Sequence, residues 1–129
     1  MKSYLLDTFC WIELFQGGAK AGAVKRILGE KNAVLLVSSL SLAEIAAKLS
    51  AIGKSQEVSQ VLAAITAKAS VVEIDAEIAG SAGRLWAQHH AKEGIGLIDC
   101  VIAASALARN ASVVTGDPHF KVFSNSVIL

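Results

Sequence analysis

Four acidic residues in this 129-residue sequence stand where a carboxylate can do chemistry rather than merely solvate a surface. Asp7 ends the apolar run Tyr4-Leu5-Leu6, and Asp117 follows Val113-Val114-Thr115-Gly116. Glu44 opens a helical stretch after Ala33–Val37, and Asp99 sits among Leu97, Ile98, Cys100, Val101 and Ile102. A carboxylate in such apolar surroundings is costly unless it is paired or bound to a cation. Four of them brought to one edge would repel each other unless a cation offset the charge. Hard carboxylate oxygens suit Mg²⁺ or Mn²⁺ rather than zinc. Such a cation can polarise an electrophile such as a phosphate and lower the pKa of a bound water. A carboxylate not fully engaged by metal, such as Glu44, would help to take the water's proton.

Each acid also has a purely structural reading. Asp7 could N-cap the first helix, and Ser41-Leu42-Ala43-Glu44 matches a capping box. Asp99 in a first turn complements the helix dipole. Asp117 before Pro118 looks like a cap followed by proline at the first helical position. Asp7 and Asp99 resist this reading most, because one closes a strand expected to be buried and the other lies in an apolar helix.

Lys48 shares a helix face with Glu44, as an i, i+4 ion pair or as a phosphate contact. Arg84 is mid-helix and reads as solvated surface. Arg109 lies about 15 Å along the helix from Asp99 and is excluded from the site. His89 and His90 are adjacent, so a helix points them apart, and they read as surface residues. Asp75 reads as an N-cap, and Trp11 and Trp86 as core or interface residues.

The elements that must position these acids follow from periodicity and punctuation. Strands are expected at Tyr4–Leu6, Ala33–Val37, Val71–Ile74, Ser112–Val114 and Ser126–Leu129. Helices are expected at Thr8–Phe15 (stopped by Gly17-Gly18), Ala19–Leu28, Ser41–Ile52 and Gln56–Ala69. Two more are expected from Asp75 to about Ala91 and over Ile98–Arg109, the last apolar almost all round and so buried. Helical crossovers between short apolar strands predict one domain over residues 1–129. It is a three-layer α/β/α sandwich with a mostly parallel five-stranded sheet. Sites in such sheets form beyond the carboxyl ends of the strands, where all four acids fall.

Composition bounds the rest. The chain is 53% hydrophobic and 18% charged, which excludes a disordered tail. No apolar run approaches the ~18 residues needed to span a bilayer, and the N-terminus does not read as a signal peptide. Cys10 and Cys100 form no CxxC pair and read as buried thiols in a reducing cytoplasm. Net charge is only +1, but setting the four acids aside leaves 7 acidic against 12 basic residues, a balance of +5 that a phosphate backbone can meet. The apolar stripes Leu42, Ile45, Leu49 and Val58, Val61, Leu62, Ile65 lie on consecutive helices. They could clip together and offer a groove to an amphipathic helix, or be used up in the internal core.

Four segments carry a resemblance: Tyr4-Leu5-Leu6-Asp7-Thr8, Ser38–Ile45, Leu97–Ala106 and Val113–Phe120. In this order they resemble the four acidic motifs of PIN domains, most closely those of the VapC toxins of VapBC toxin–antitoxin modules. The resemblance spans the whole chain. It implies a parallel five-stranded sheet and a Mg²⁺ or Mn²⁺ site on Asp7, Glu44, Asp99 and Asp117, with Thr115 orienting the last acid or a water. It also implies endoribonuclease activity on RNA, a homodimer and a VapB-like antitoxin. The alternatives are an RNA-processing or maturation nuclease and a non-catalytic PIN-like binding module, which loss of one or more acids would favour. A dehalogenase-type phosphotransferase needs an acid two positions after Asp7, where Phe9 stands, and a receiver domain needs paired N-terminal acids and a late lysine that are not evident.

Overall fold

The computed structural model describes residues 2–129. In chain order the elements are β1 (Ser3–Leu6), α1 (Thr8–Gln16), α2 (Ala21–Leu28), β2 (Val34–Ser38), α3 (Ser39–Ala51), α4 (Val58–Thr66), β3 (Ser70–Val72), α5 (Ala76–Glu93), α6 (Leu97–Ala108), β4 (Ser112–Thr115) and β5 (Ser126–Ile128). Short 3-10 turns at Ser55–Glu57 and Pro118–Val122 precede α4 and β5. The five strands form one sheet of order β3-β2-β1-β4-β5, and every pairing is parallel.

Strand alternation divides the interior into two cores. Leu5, Leu36 and Val113 face α5, α6 and the Pro118–Val122 turn, meeting Ile78, Ala82, Ala103 and Phe120. Their neighbours Tyr4, Leu6, Val37 and Val114 face the other way, against Trp11, Val24, Ile45 and Ile65 of α1 to α4. Both faces of the sheet are therefore covered, which is why its strands read as unbroken apolar runs. The chain runs from β1 outward to β3, then returns to lay β4 on the free side of β1. A crevice opens at such a reversal, beyond the carboxyl ends of β1 and β4.

Local chemistry sets most boundaries. Gly17 (φ 65°) and Gly94 (φ 70°) end α1 and α5 in the left-handed conformation that glycine adopts without strain. Asp75 caps α5 by accepting from the Ile78 N–H at 2.9 Å. Three expectations need correction. The helix expected over Gln56–Ala69 is a 3-10 turn followed by the shorter α4, because the chain tightens at Ala67 and Lys68 to deliver Ser70 to the sheet. Strand β3 stops at Val72, leaving Ile74 39% exposed. Helix α6 buries its middle, but Leu97, Ile98 and Leu107 near its ends are about half exposed. Cys10 and Cys100 are free and buried.

Candidate active site

The pairing of β1 with β4 places Leu6 beside Val114, so Asp7 and the Thr115–Asp117 segment emerge together. Asp7 keeps β1 in register with a backbone bond to the Val114 carbonyl at 3.0 Å and then N-caps α1. Its Oδ1 accepts the Phe9 N–H at 3.0 Å, and its Oδ2 accepts the Thr115 hydroxyl at 2.5 Å. Thr115 is fully buried, and its Oγ1 also accepts the Asp117 N–H at 3.1 Å. One hydroxyl thus ties the ends of two strands. Asp117 caps the next turn, with Pro118 at its start, and its Oδ1 meets both the N–H and the ring Nδ1 of His119 at 2.9 Å. For Asp7 and Asp117, capping and membership of the acidic cluster coexist.

Glu44 does not form the expected capping box. Helix α3 starts at Ser39, and its cap is Ser38, whose Oγ accepts the Leu40 N–H at 3.1 Å. Ser41 is buried, and its hydroxyl has no hydrogen-bond partner among the described residues. Glu44 turns instead to α1, where the buried Thr8 hydroxyl donates to its Oε1 at 2.7 Å. Asp99 occupies the first turn of α6, capped by Gly96.

Asp7, Glu44, Asp99 and Asp117 line one cavity of about 340 Å³ together with Thr8, Phe9 and Lys48. Burial raises the pKa of Asp7, against the Thr115 and Phe9 hydrogen bonds that lower it, and Glu44 and Asp117 push it further up. Burial also raises Asp99, followed by the charges of Asp117, Asp7 and Glu44. Asp7 and Asp99 therefore feel the charge of the other acids, which a cation bound among them would offset. The donors suit a hard divalent ion: several carboxylates with no cysteine or histidine on the cavity wall. Among the described residues, however, no three His, Cys, Asp or Glu side chains are spaced to clasp an ion. Cys10, beneath the site, has its thiol pushed up to about 12 by burial and by Asp7, and donates to the Val114 carbonyl at 3.1 Å.

Sequence reasoning missed two features of the site. A Cβ on Gly116 would lie 2.4 Å from the Phe9 ring, so the ring packs directly on the turn that carries Asp117. His119 bonds Asp117, a contact for which Asp117-Pro118-His119 was the only local signal. The i, i+4 ion pair of Lys48 with Glu44 does not occur among the described residues. Lys48 is exposed and lines the acidic cavity. Arg84 and Arg109 are exposed, and Trp11 is fully buried. His90 stacks on the half-exposed Trp86 at 4.0 Å. His89 is partly buried rather than on the surface, near Glu93 at 3.5 Å and edge-on to Phe123. A larger groove of about 740 Å³ runs between α1, α3 and α4, lined by Phe15, Ile45, Leu49, Ile52 and Val61 among others. It shares Ile12 and Lys48 with the acidic cavity.

A family model described as the PIN domain matches residues 4–125. No curated protein matches the chain. Among solved structures, VapBC2 from Rickettsia felis bound to a promoter DNA fragment is similar at 24% identity and a TM-score of 0.78, over 98% of this chain and 97% of that one. VapBC-1 from nontypeable Haemophilus influenzae is similar at 25% identity and a TM-score of 0.76, over 98% and 96%. Mycobacterium tuberculosis VapC20, described as a sarcin–ricin-loop-cleaving toxin, is similar at 20% identity and a TM-score of 0.75, over 95% of each chain.

Proposed function

The chain belongs to the PIN-domain family, and from that premise we propose that it is a Mg²⁺- or Mn²⁺-dependent endoribonuclease, the toxin of a type II toxin–antitoxin module. The observation that carries the reading is the convergence of Asp7, Glu44, Asp99 and Asp117 on one cavity from four separate segments, each acid raising the pKa of Asp99 or being raised with it. Capping explains two of the acids but not their meeting.

A divalent ion bound there would supply the charge that polarises the scissile phosphate and acidifies a water. Asp7, Glu44, Asp99 and Asp117 are the side chains that would hold the ion, and their carboxylates would have to draw together around it. Thr115 fixes Asp7 and the backbone of Asp117 relative to each other before anything binds, which removes a reorganisation cost from the site. Thr8 occupies Oε1 of Glu44, which leaves Oε2 to accept a proton from the attacking water. The products are a 5′-phosphate and a 3′-hydroxyl. Purified Asp7→Asn and Asp99→Asn variants should fold as wild type, because Asn is nearly isosteric. Their RNA cleavage should drop by more than the 10–100-fold typical of changes around a ligand shell. Near-wild-type cleavage by either variant would refute the assignment.

A VapB-like antitoxin is proposed for the groove between α1, α3 and α4, supported by its exposed Phe15 and Ile52, 47% and 65% accessible. Its shared wall with the acidic cavity would couple occupancy to inhibition. Co-expression with the adjacent gene should give an inactive complex that Ile52→Glu breaks. Undiminished cleavage in a stable complex would contradict this. A homodimer is proposed on the apolar residues left exposed, among them Leu97 and Leu107, and a strictly monomeric mass by light scattering would refute it. No helix among the described residues is long and apolar enough to cross a membrane. A reducing cytoplasm, suited to the two free thiols, is the proposed location.

A further inference from the structure

The acidic cavity presents a difficulty for any polyanionic substrate. Four carboxylates face it, and one divalent ion offsets only part of that charge. A phosphodiester approaching it needs a positive contact that is not itself consumed in holding the acids. Among the residues lining the cavity, Lys48 is the one cation.

Lys48 lies one helical turn after Glu44 on α3 and is exposed. Geometry gives it every opportunity to pair with Glu44, yet none of the ion pairs among the described residues involves it. Glu44 is engaged instead by Thr8 from α1. The ammonium therefore stays unpaired among the described residues, between the cavity and the neighbouring groove, both of which Lys48 and Ile12 line. A flexible stem with a compact, strongly hydrated charge suits a phosphate contact beside the bond to be cut, where the charge must reach without entering the carboxylate cluster.

The geometry points to Lys48 as a substrate-positioning residue that contacts a backbone phosphate of the RNA at the rim of the acidic cavity. This rests on the nuclease reading, and it adds to that reading a specific residue outside the acids. The contact is to a phosphate, so it contributes affinity and register without base preference.

The test uses the full chain and its Lys48→Ala and Lys48→Arg variants. Binding of a labelled single-stranded RNA is followed by anisotropy in Ca²⁺, cleavage kinetics in Mg²⁺, and Mn²⁺ binding by electron paramagnetic resonance. Lys48→Ala should weaken RNA binding and raise KM by about tenfold, the value of one charged hydrogen bond. Its kcat should change by less than about twofold, and the log–log salt dependence of binding should flatten by about 0.7, one phosphate contact on a single strand. Mn²⁺ affinity should hold or tighten, because a neighbouring positive charge has gone. Lys48→Arg should stay close to wild type. Unchanged RNA affinity in Lys48→Ala, or a loss that appears in Mn²⁺ binding or in kcat alone, would overturn the proposal. The two readings separate cleanly. If RNA binding depends on Lys48 but no protein cuts, Lys48 stands and the nuclease reading fails. If both proteins cut with the same KM, the reverse holds.

Discussion

The Thr115 hydroxyl donates to Asp7 Oδ2 and accepts the Asp117 N–H, so Thr115→Val removes a donor and an acceptor together at nearly constant volume. The Asp7 side chain then keeps only its Phe9 contact, and the partly buried N–H of Asp117 is left to find another partner. Mn²⁺ affinity and kcat/KM are expected to fall about 10–100-fold, as for other groups that orient metal ligands. Thr115→Ser should restore most of the loss. Wild-type Mn²⁺ affinity in Thr115→Val, measured by titration, would contradict this role. Asp7, Asp99 and Asp117 were legible as candidates in the sequence because each ends an apolar run or stands in a first helical turn, whereas Glu44, expected to open its helix, lies one turn inside α3. Their partners were only partly legible. Ser41 and Glu44 satisfy a local pattern, but the acceptor of Glu44 is used by Thr8, 36 residues away, and only the fold brings the two together. The Lys48–Glu44 pair fails for the same reason: a helical spacing permits a contact but does not compel it.

Strands β1 and β4 pair directly, and Thr115 and the Phe9 ring pack the turn after β4 against them. Gly116 has no room for a side chain, because a Cβ there would meet Phe9 atoms at 2.4 to 2.9 Å. Gly116→Ala must push the ring aside or shift the turn that carries Asp117. It is expected to cost about 1–3 kcal/mol of stability, typical of overpacking, and to lower cleavage by displacing Asp117. Because the clash is with one ring, Phe9→Ala should relieve part of it, giving a coupling of about 1 kcal/mol in a double-mutant cycle read by thermal melts. Strictly additive effects would show that the ring is not what Gly116 accommodates. At this scale the sequence was most informative where caps and glycines mark ends, as at Gly17, Asp75 and Gly94. It was least informative where backbone tightening decides an end, as between α4 and β3. The apolar circumference of α6 suggested full burial, but periodicity cannot say how far a helix extends past the layer that covers it, and Leu97, Ile98 and Leu107 lie in the open.

For the molecule as a whole, the layered fold and parallel sheet followed from short, doubly apolar strands separated by helices, and the two cores bear this out. The strand order did not follow from periodicity, because nothing in the spacing of β3 and β4 reveals that the chain crosses back over β1. That crossing opens the crevice at which β1 and β4 deliver Asp7 and Asp117. The modest net charge of +1 conceals a segregation: several acids gather in the cavity while most basic residues lie elsewhere. Whether a cation among these acids makes the protein a nuclease is the central question. Cleavage of a labelled RNA by the purified wild-type chain is the direct test, run in EDTA and then with Mg²⁺ or Mn²⁺ restored, with Asp99→Asn in parallel. Cleavage should be absent in chelator, return with either ion and stay absent in the variant, while undiminished cleavage in EDTA would contradict the account.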